Sequence, residues 1–361
     1  MSPVYSGFRG LANMQKSQQY FKQCVLIATI LALCVVVLGA YVRLTDAGLG
    51  CPDWPGCYGT LTVPESEAAI VAAQNAYPHS TVEVGKAWRE MAHRYLAGTL
   101  GLLVLAIFVL GWRTKKTLRC SPWTPTFLLV LVTFQALLGM WTVTMLLKPA
   151  IVTAHLLGGM STLAILVWLA HRHWGQYDAN MVQSRGLRLS IRFSLLLLFI
   201  QIFLGGWTST NYAALACTDF PTCHGLWVPD MDFKEAFHMV RELGQSADGG
   251  ALTLAATTAI QWTHRIGALL VLIYMGTLAW LLLKNSQIKR IGLALLLALI
   301  AQIGLGIANL LLHLPLVLAV LHNFTAGLLV MILVTLNSKV TGNSKMPRNS
   351  KMTVASPQGF N

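Results

Sequence analysis

Charge is what this sequence has least of. Asp, Glu, Lys and Arg together make up 11% of its 361 residues, where a soluble domain carries about 25%. That shortage excludes an ordinary soluble protein, and a mean hydropathy of +0.60 excludes it again. Acids are the scarcer sign, 13 against 26 basic residues, which gives a net charge of +13. The start of the chain lacks an extended Arg-rich amphipathic segment, and its first apolar run is too long and too late for a cleaved signal peptide. Zinc is a poor fit, because the cysteines lie in separate loops with no tight three-ligand cluster.

What is present is apolar length. Runs able to cross a bilayer fall at 22–43, 93–112, 125–147, 150–170, 193–210, 258–283, 291–312 and 315–336. The second is the weakest, since it begins His-Arg-Tyr. Basic residues gather before the first run, between runs two and three, four and five, six and seven, and in the tail. Those segments hold 18 of the 26 basic residues and one acid, Asp178. The positive-inside rule therefore puts both termini in the cytoplasm or in the mitochondrial matrix; without an Arg-rich transit segment, a bacterial inner membrane is the expected location. The net charge reflects this topology and an attraction to anionic lipid, so no nucleic acid is needed.

The chain repeats itself. Gly39 to Cys57 aligns with Gly205 to Cys223, 166 residues later and without a gap. His93-Arg94 matches His264-Arg265, Gln135 and Gly139 match Gln302 and Gly306, and His155 matches His322. Such registration indicates duplication of a four-helix unit. An even number of helices makes both copies enter from the same side, giving a parallel repeat about an axis along the membrane normal. The expected fold is an all-α integral membrane protein with eight transmembrane helices as two four-helix bundles. Its segments are 1–21, a cytoplasmic start; 22–170, the first repeat; 171–192, a cytoplasmic linker; 193–336, the second repeat; and 337–361, a polar, disordered cytoplasmic tail.

Four histidines lie on apolar spans and at matching places: His93 and His155 in one half, His264 and His322 in the other. A buried intramembrane imidazole is costly without a role. A lone one can be a structural hydrogen-bonding residue; four in duplicate register point to bis-imidazole coordination of two flat macrocycles. Arg94 and Arg265 each follow such a histidine, either to hold a heme propionate bidentately or to snorkel to the interface. His313 has no partner in the first half, His79, His224 and His238 lie in outer loops, and His171 and His173 are cytoplasmic; these read as non-ligands. Cys223-His224 does not make a c-type heme motif, because position 220 is Phe220. Gly304 and Gly306 read as helix packing.

The halves differ at one telling position. Glu90 lies three residues before His93, on the same helix face, and its counterpart is Gln261. A carboxylate can take protons or steady a developing cation where an amide cannot. This suggests one reactive and one electron-transfer site; the alternative is an interfacial charge paired with Lys86 or Arg94. Cys51 and Cys57, like Cys217 and Cys223, are six apart in outer loops and are expected to form disulfides on an oxidising side. They either staple the loops over the hemes or, for the first pair, shuttle electrons or interact with the substrate. Cys24, Cys34 and Cys120 read as inert.

With these residues in view, the chain strongly resembles the heme A synthase family, in its proteobacterial and mitochondrial-type branch. The features that carry the resemblance over roughly 20–336 are Glu90-Met-Ala-His93-Arg94, the Cys51–Cys57 loop, Thr263-His264-Arg265, Leu321-His322-Asn323 and the eight-helix duplication. It implies oxidation of the C8 methyl of heme O to a formyl group by successive hydroxylations with water-derived oxygen, then dehydration. It implies a heme b cofactor on His264 and His322, heme O on His93 and His155, an essential carboxylate at Glu90 and a first-loop disulfide. Further expected partners are a heme O synthase, an electron acceptor that the sequence does not name and a second copy of the chain. The rival readings are a diheme b-type cytochrome working between a quinol and a periplasmic partner, and a transporter with parallel repeats.

Overall fold

The computed structural model describes residues 3–115, 121–174, 184–246 and 249–341; for 3–15 and 341 it describes the backbone alone. Cys120 and most of the tail expected at 337–361 lie outside the described residues, as does the middle of the linker expected at 171–192. Among the described residues the protein is helical, with no strand beyond isolated bridges. Ten helices follow in order: α1 Pro3–Leu44, α2 Glu67–Ala76, α3 Val84–Arg113, α4 Trp123–Thr144, α5 Pro149–Trp174, α6 Arg185–Thr210, α7 Phe233–Ala236, α8 Leu254–Leu283, α9 Lys289–Leu311 and α10 Leu316–Thr341. All but α2 and α7 are long and apolar enough to cross a membrane. The chain is a multi-pass membrane protein.

Helix ends follow local chemistry. The side chains of Ser184 and Thr253 accept from Leu187 N and Ala256 N at the starts of α6 and α8, satisfying donors that a helix leaves open. Pro149 opens α5, where its missing N–H costs nothing. The corners after α4 and α9 are four residues long. In them Leu146, Leu147, His313 and Leu314 take positive φ, and Leu147 N and Leu314 N reach back to Thr142 O and Asn309 O at 2.8 and 2.7 Å.

Three spans begin or end beyond their apolar runs. Helix α3 begins at Val84, nine residues before the run that starts at His93. Lys86, Arg89 and Glu90 are good helix formers, and hydropathy marks where lipid lies, not where helical hydrogen bonding starts. Similarly, α1 runs back through residues expected to be a separate N-terminal segment, and α10 continues to Thr341.

Packing follows one order twice. Helices α1, α3, α4 and α5 close a ring of neighbours, and α6, α8, α9 and α10 close another. The rings meet through α5–α10, α1–α10 and α5–α6. Lipid gives no hydrophobic drive between helices, so close packing holds them. At the seam Gly206 lies so near Leu156 that a Cβ would sit 2.9 Å from its Cδ2. One buried apolar cluster runs through both rings, from Phe21, Val25 and Val104 to Met275, Leu299 and Leu333. Two smaller clusters lie under the long segments that follow α1 and α6. One contains Cys51, Cys57, Val63 and Met91, the other Trp207, Ala236 and Ile260. The four intramembrane histidines occupy the level between the main cluster and these caps.

Candidate functional site

The histidines sit at matched depths. At 1.5 Å per residue, His93 and His264 lie about 14–15 Å into α3 and α8, and His155 and His322 about 9 Å into α5 and α10. His93 and His155 are within electrostatic reach of each other, as are His264 and His322. Each ring backs onto a glycine of the neighbouring helix. A Cβ at Gly39, Gly139, Gly205 or Gly306 would stand 3.0, 3.5, 3.1 or 3.1 Å from Cε1 of His93, His155, His264 or His322. Bare backbone there leaves room for the Cε1 edge of each imidazole to come close to the helix. Gly306, expected only to pack helices, is thus one of these four seats, while Gly304 faces open space.

Nδ1 of His93, His155 and His322 is buried without a hydrogen-bond partner. An unpaired buried nitrogen is costly, and histidine is a ready metal ligand. Two imidazoles per bundle, in a mostly apolar interior with a glycine recess behind each, fit the axial ligation of an iron porphyrin. Among the described residues no three His, Cys, Asp or Glu side chains converge as a smaller metal centre would need.

Each pair lies under a disulfide loop. Cys51–Cys57 and Cys217–Cys223 are bonded, at 2.01 and 1.98 Å. Within the first loop Asp53 accepts from Tyr58 N at 2.6 Å and Gly59 N at 2.8 Å. In the second Asp219 accepts from His224 N at 2.7 Å, Gly225 N at 3.0 Å and the Thr222 hydroxyl at 2.6 Å. The Thr222 hydroxyl, then the Gly225 and His224 amides, pull the Asp219 carboxyl far below the usual carboxylate range. The first loop presses on α3 so closely that a Cβ at Gly50 would lie 2.7 Å from Ala87 N. Only glycine fits there.

The residues one turn from the histidines fasten these loops. Glu90 is 5% exposed; its Oε2 accepts from Cys51 N at 2.9 Å and its Oε1 pairs with Arg94 Nη2 at 2.5 Å. Arg94 Nη1 donates to Asp53 O at 2.8 Å and to Gly56 O. In the second half Gln261 accepts from Cys217 N through Oε1 and donates to Ala214 O. Arg265 donates to Thr222 O at 2.8 Å and Cys217 O at 3.0 Å. The arginines therefore do not simply snorkel: each ties a loop to its helix. A guanidinium has five N–H donors, so capacity remains for an anionic group below. Of the two partners considered for Glu90, Arg94 is the one it pairs with; Lys86 pairs with Glu83.

Sequence reasoning missed Gln201. Its Nε2 lies 2.9 Å from both Nδ1 and the carbonyl of His264. It has no glutamine counterpart in the first half, so the repeat could not reveal it; its place one turn before Gly205 was the available signal. His173, expected to be a non-ligand, bonds Leu169 O at 2.9 Å through Nδ1. Cys24 and Cys34 are free thiols.

Comparison with known proteins bears on these residues directly. The pattern of the COX15-CtaA family, described as cytochrome oxidase assembly protein, matches residues 22–334. A heme A synthase of Shewanella oneidensis is 45% identical over 312 residues, 86% of this chain and 94% of the relative. Heme A synthases of Shouchella clausii and Agrobacterium fabrum are 28% and 26% identical, over 81% and 88% of this chain and 91% and 90% of the relatives. All four intramembrane histidines and both disulfide loops fall inside the matched region, and the chain belongs to the COX15-CtaA family of cytochrome oxidase assembly proteins.

Proposed function

We propose that the protein is a heme A synthase that oxidises the C8 methyl group of heme O to the formyl group of heme A. The observation that carries this reading is the pair of imidazoles in each bundle, seated on glycine under a pinned loop, in a chain 45% identical to a relative named for that activity. We assign residues 22–170 to the substrate and 193–336 to the cofactor. His93 and His155 hold heme O, and His264 and His322 hold heme b. Heme b supplies one-electron redox chemistry when bound.

The chain's own groups do the rest. His93 and His155 fix the porphyrin so that its methyl stays in one place relative to α3. Glu90 is the reactive-side carboxylate. It steadies positive charge that grows on the ring as electrons leave, or takes a proton from the attacking water. Arg94 and Arg265 hold the roof and offer their remaining donors to propionates. The balance is simple: methyl plus water gives alcohol, two electrons and two protons. A second such step gives the geminal diol, which loses water to the aldehyde. Electrons pass to an acceptor outside the chain.

We place the protein in a bacterial inner membrane with both termini in the cytoplasm, among anionic lipids. A heme O synthase supplies the substrate, and a second copy of the chain is a candidate partner. Pigment extracted from purified protein tests the reading: heme B together with heme O or heme A supports it. Heme B alone, with no conversion of added heme O, identifies a diheme cytochrome instead.

A further inference from the structure

One amide beside the second histidine pair has no counterpart beside the first. Gln201 lies one turn before Gly205 on α6, so both face the His264 ring. The amide reaches Nδ1 and the backbone carbonyl of the same histidine, each at 2.9 Å. It fits because position 267 is glycine: a Cβ there would stand 2.2 Å from Gln201 Oε1. The matching positions in the first half are Val35 and Leu96. Neither side chain can hydrogen-bond, and His93 Nδ1 is buried without a partner.

We propose that Gln201, admitted by Gly267, is a positioning residue that makes the His264–His322 site retentive, and that Val35 and Leu96 leave the His93–His155 site exchangeable. The inference rests on reading the histidine pairs as heme sites. An outer partner on one ring nitrogen fixes ring rotation and tautomer, so the other nitrogen stays aimed at the metal. As placed, the amide nitrogen donates to Nδ1 and to the carbonyl; presenting Oε1 to an Nδ1–H, which frees the histidine's own Nε2 for the metal, requires the amide to turn away from that carbonyl. Losing such a partner costs about 10–100-fold in metal affinity. A cofactor must stay through many turnovers, whereas a substrate must leave after each one. At this seat the chain separates these needs with two residues.

Purified full-length protein, mixed with excess apomyoglobin, reports release of each heme, which chromatography then distinguishes. Wild type should lose heme O or heme A faster than heme B. Gln201→Val should speed loss of heme B about tenfold or more and shift its low-spin electron paramagnetic resonance signal, with release from the first site unchanged. Gly267→Ala should do the same with Gln201 in place, and it decides the matter if Gln201→Val does not accumulate. The reverse graft, Val35→Gln with Leu96→Gly, should slow release from the first site. Unchanged heme B release and spectrum in both Gln201→Val and Gly267→Ala would overturn the inference while leaving the heme sites intact. Wild-type protein that binds no heme would overturn the functional reading, and this inference with it.

Discussion

At the scale of single residues, Glu90 does two things that one substitution can separate. It anchors Cys51 and neutralises Arg94, and it is the proposed reactive carboxylate. Gln261 anchors Cys217 with an amide, so Glu90→Gln should keep the loop, both hemes and the fold. Turnover of heme O should fall about a hundredfold or more; undiminished turnover would remove Glu90 from the chemistry. Glu90→Ala leaves Arg94 without its carboxylate and should also cost about 3 kcal/mol in stability, read as a lower unfolding temperature in detergent. The glycine seats divide the sites in the same way. Gly39→Ala should deplete heme O and spare heme B, and Gly205→Ala the reverse, measured as pigment per protein. The histidines were legible because they come in register and are costly where they lie. The seats were visible as matched glycines, but sequence alone could not say that they face imidazoles, because that depends on which neighbouring helix each one meets.

At the scale of elements, the eight spans were legible from apolar length, and the short corners from the gaps between runs. The start of α3 was not, because nine polar and mixed residues carry no hydropathy signal yet have ample helix propensity. The disulfide loops were legible as cysteine spacing, but their fastening to α3 and α8 depends on contacts about 40 residues apart in sequence that no local pattern encodes. Asp219 organises the second loop, and its pH dependence has a definite sign. A carboxylate held below its unfolded value contributes stability that is present above the unfolded value and lost as pH falls through the folded one. The loop should therefore keep its order down through pH 4, where ordinary carboxylates are already taking protons. Hydrogen exchange at His224 and Gly225 checks this; their release near pH 4 would contradict it. Asp219→Asn should speed exchange at both amides at every pH.

At the scale of the whole molecule, residues one repeat apart meet at the loop end of the seam. Arg43 donates to Ser209 O at 2.8 Å and to Asp46 and the Tyr212 hydroxyl at 3.2 Å each. Its guanidinium also lies 4.4 Å from the centre of the Tyr212 ring. Positions 43 and 209 are separated by 166 residues, as are 46 and 212. Arg43→Ala should lower stability by about 1 kcal/mol, since Asp46 is largely exposed and weakens the ion pair. Cysteines introduced at Leu61 and Trp227 should react with an impermeant thiol reagent in intact spheroplasts, and one at Lys284 should not; the opposite pattern would invert the orientation read from basic residues. The pinned caps carry a last consequence. The first is fastened by Glu90, Arg94, Trp88 to Glu65 and Tyr95 to Leu61 O, the second by Gln261, Arg265, Trp207 to Ala236 O and Arg241 to Asn211. A ceiling riveted at so many points does not swing aside for a bulky, greasy guest. Traffic would then have to slip sideways between the pillars, so a prenylated porphyrin could arrive and depart without ever leaving the oily layer.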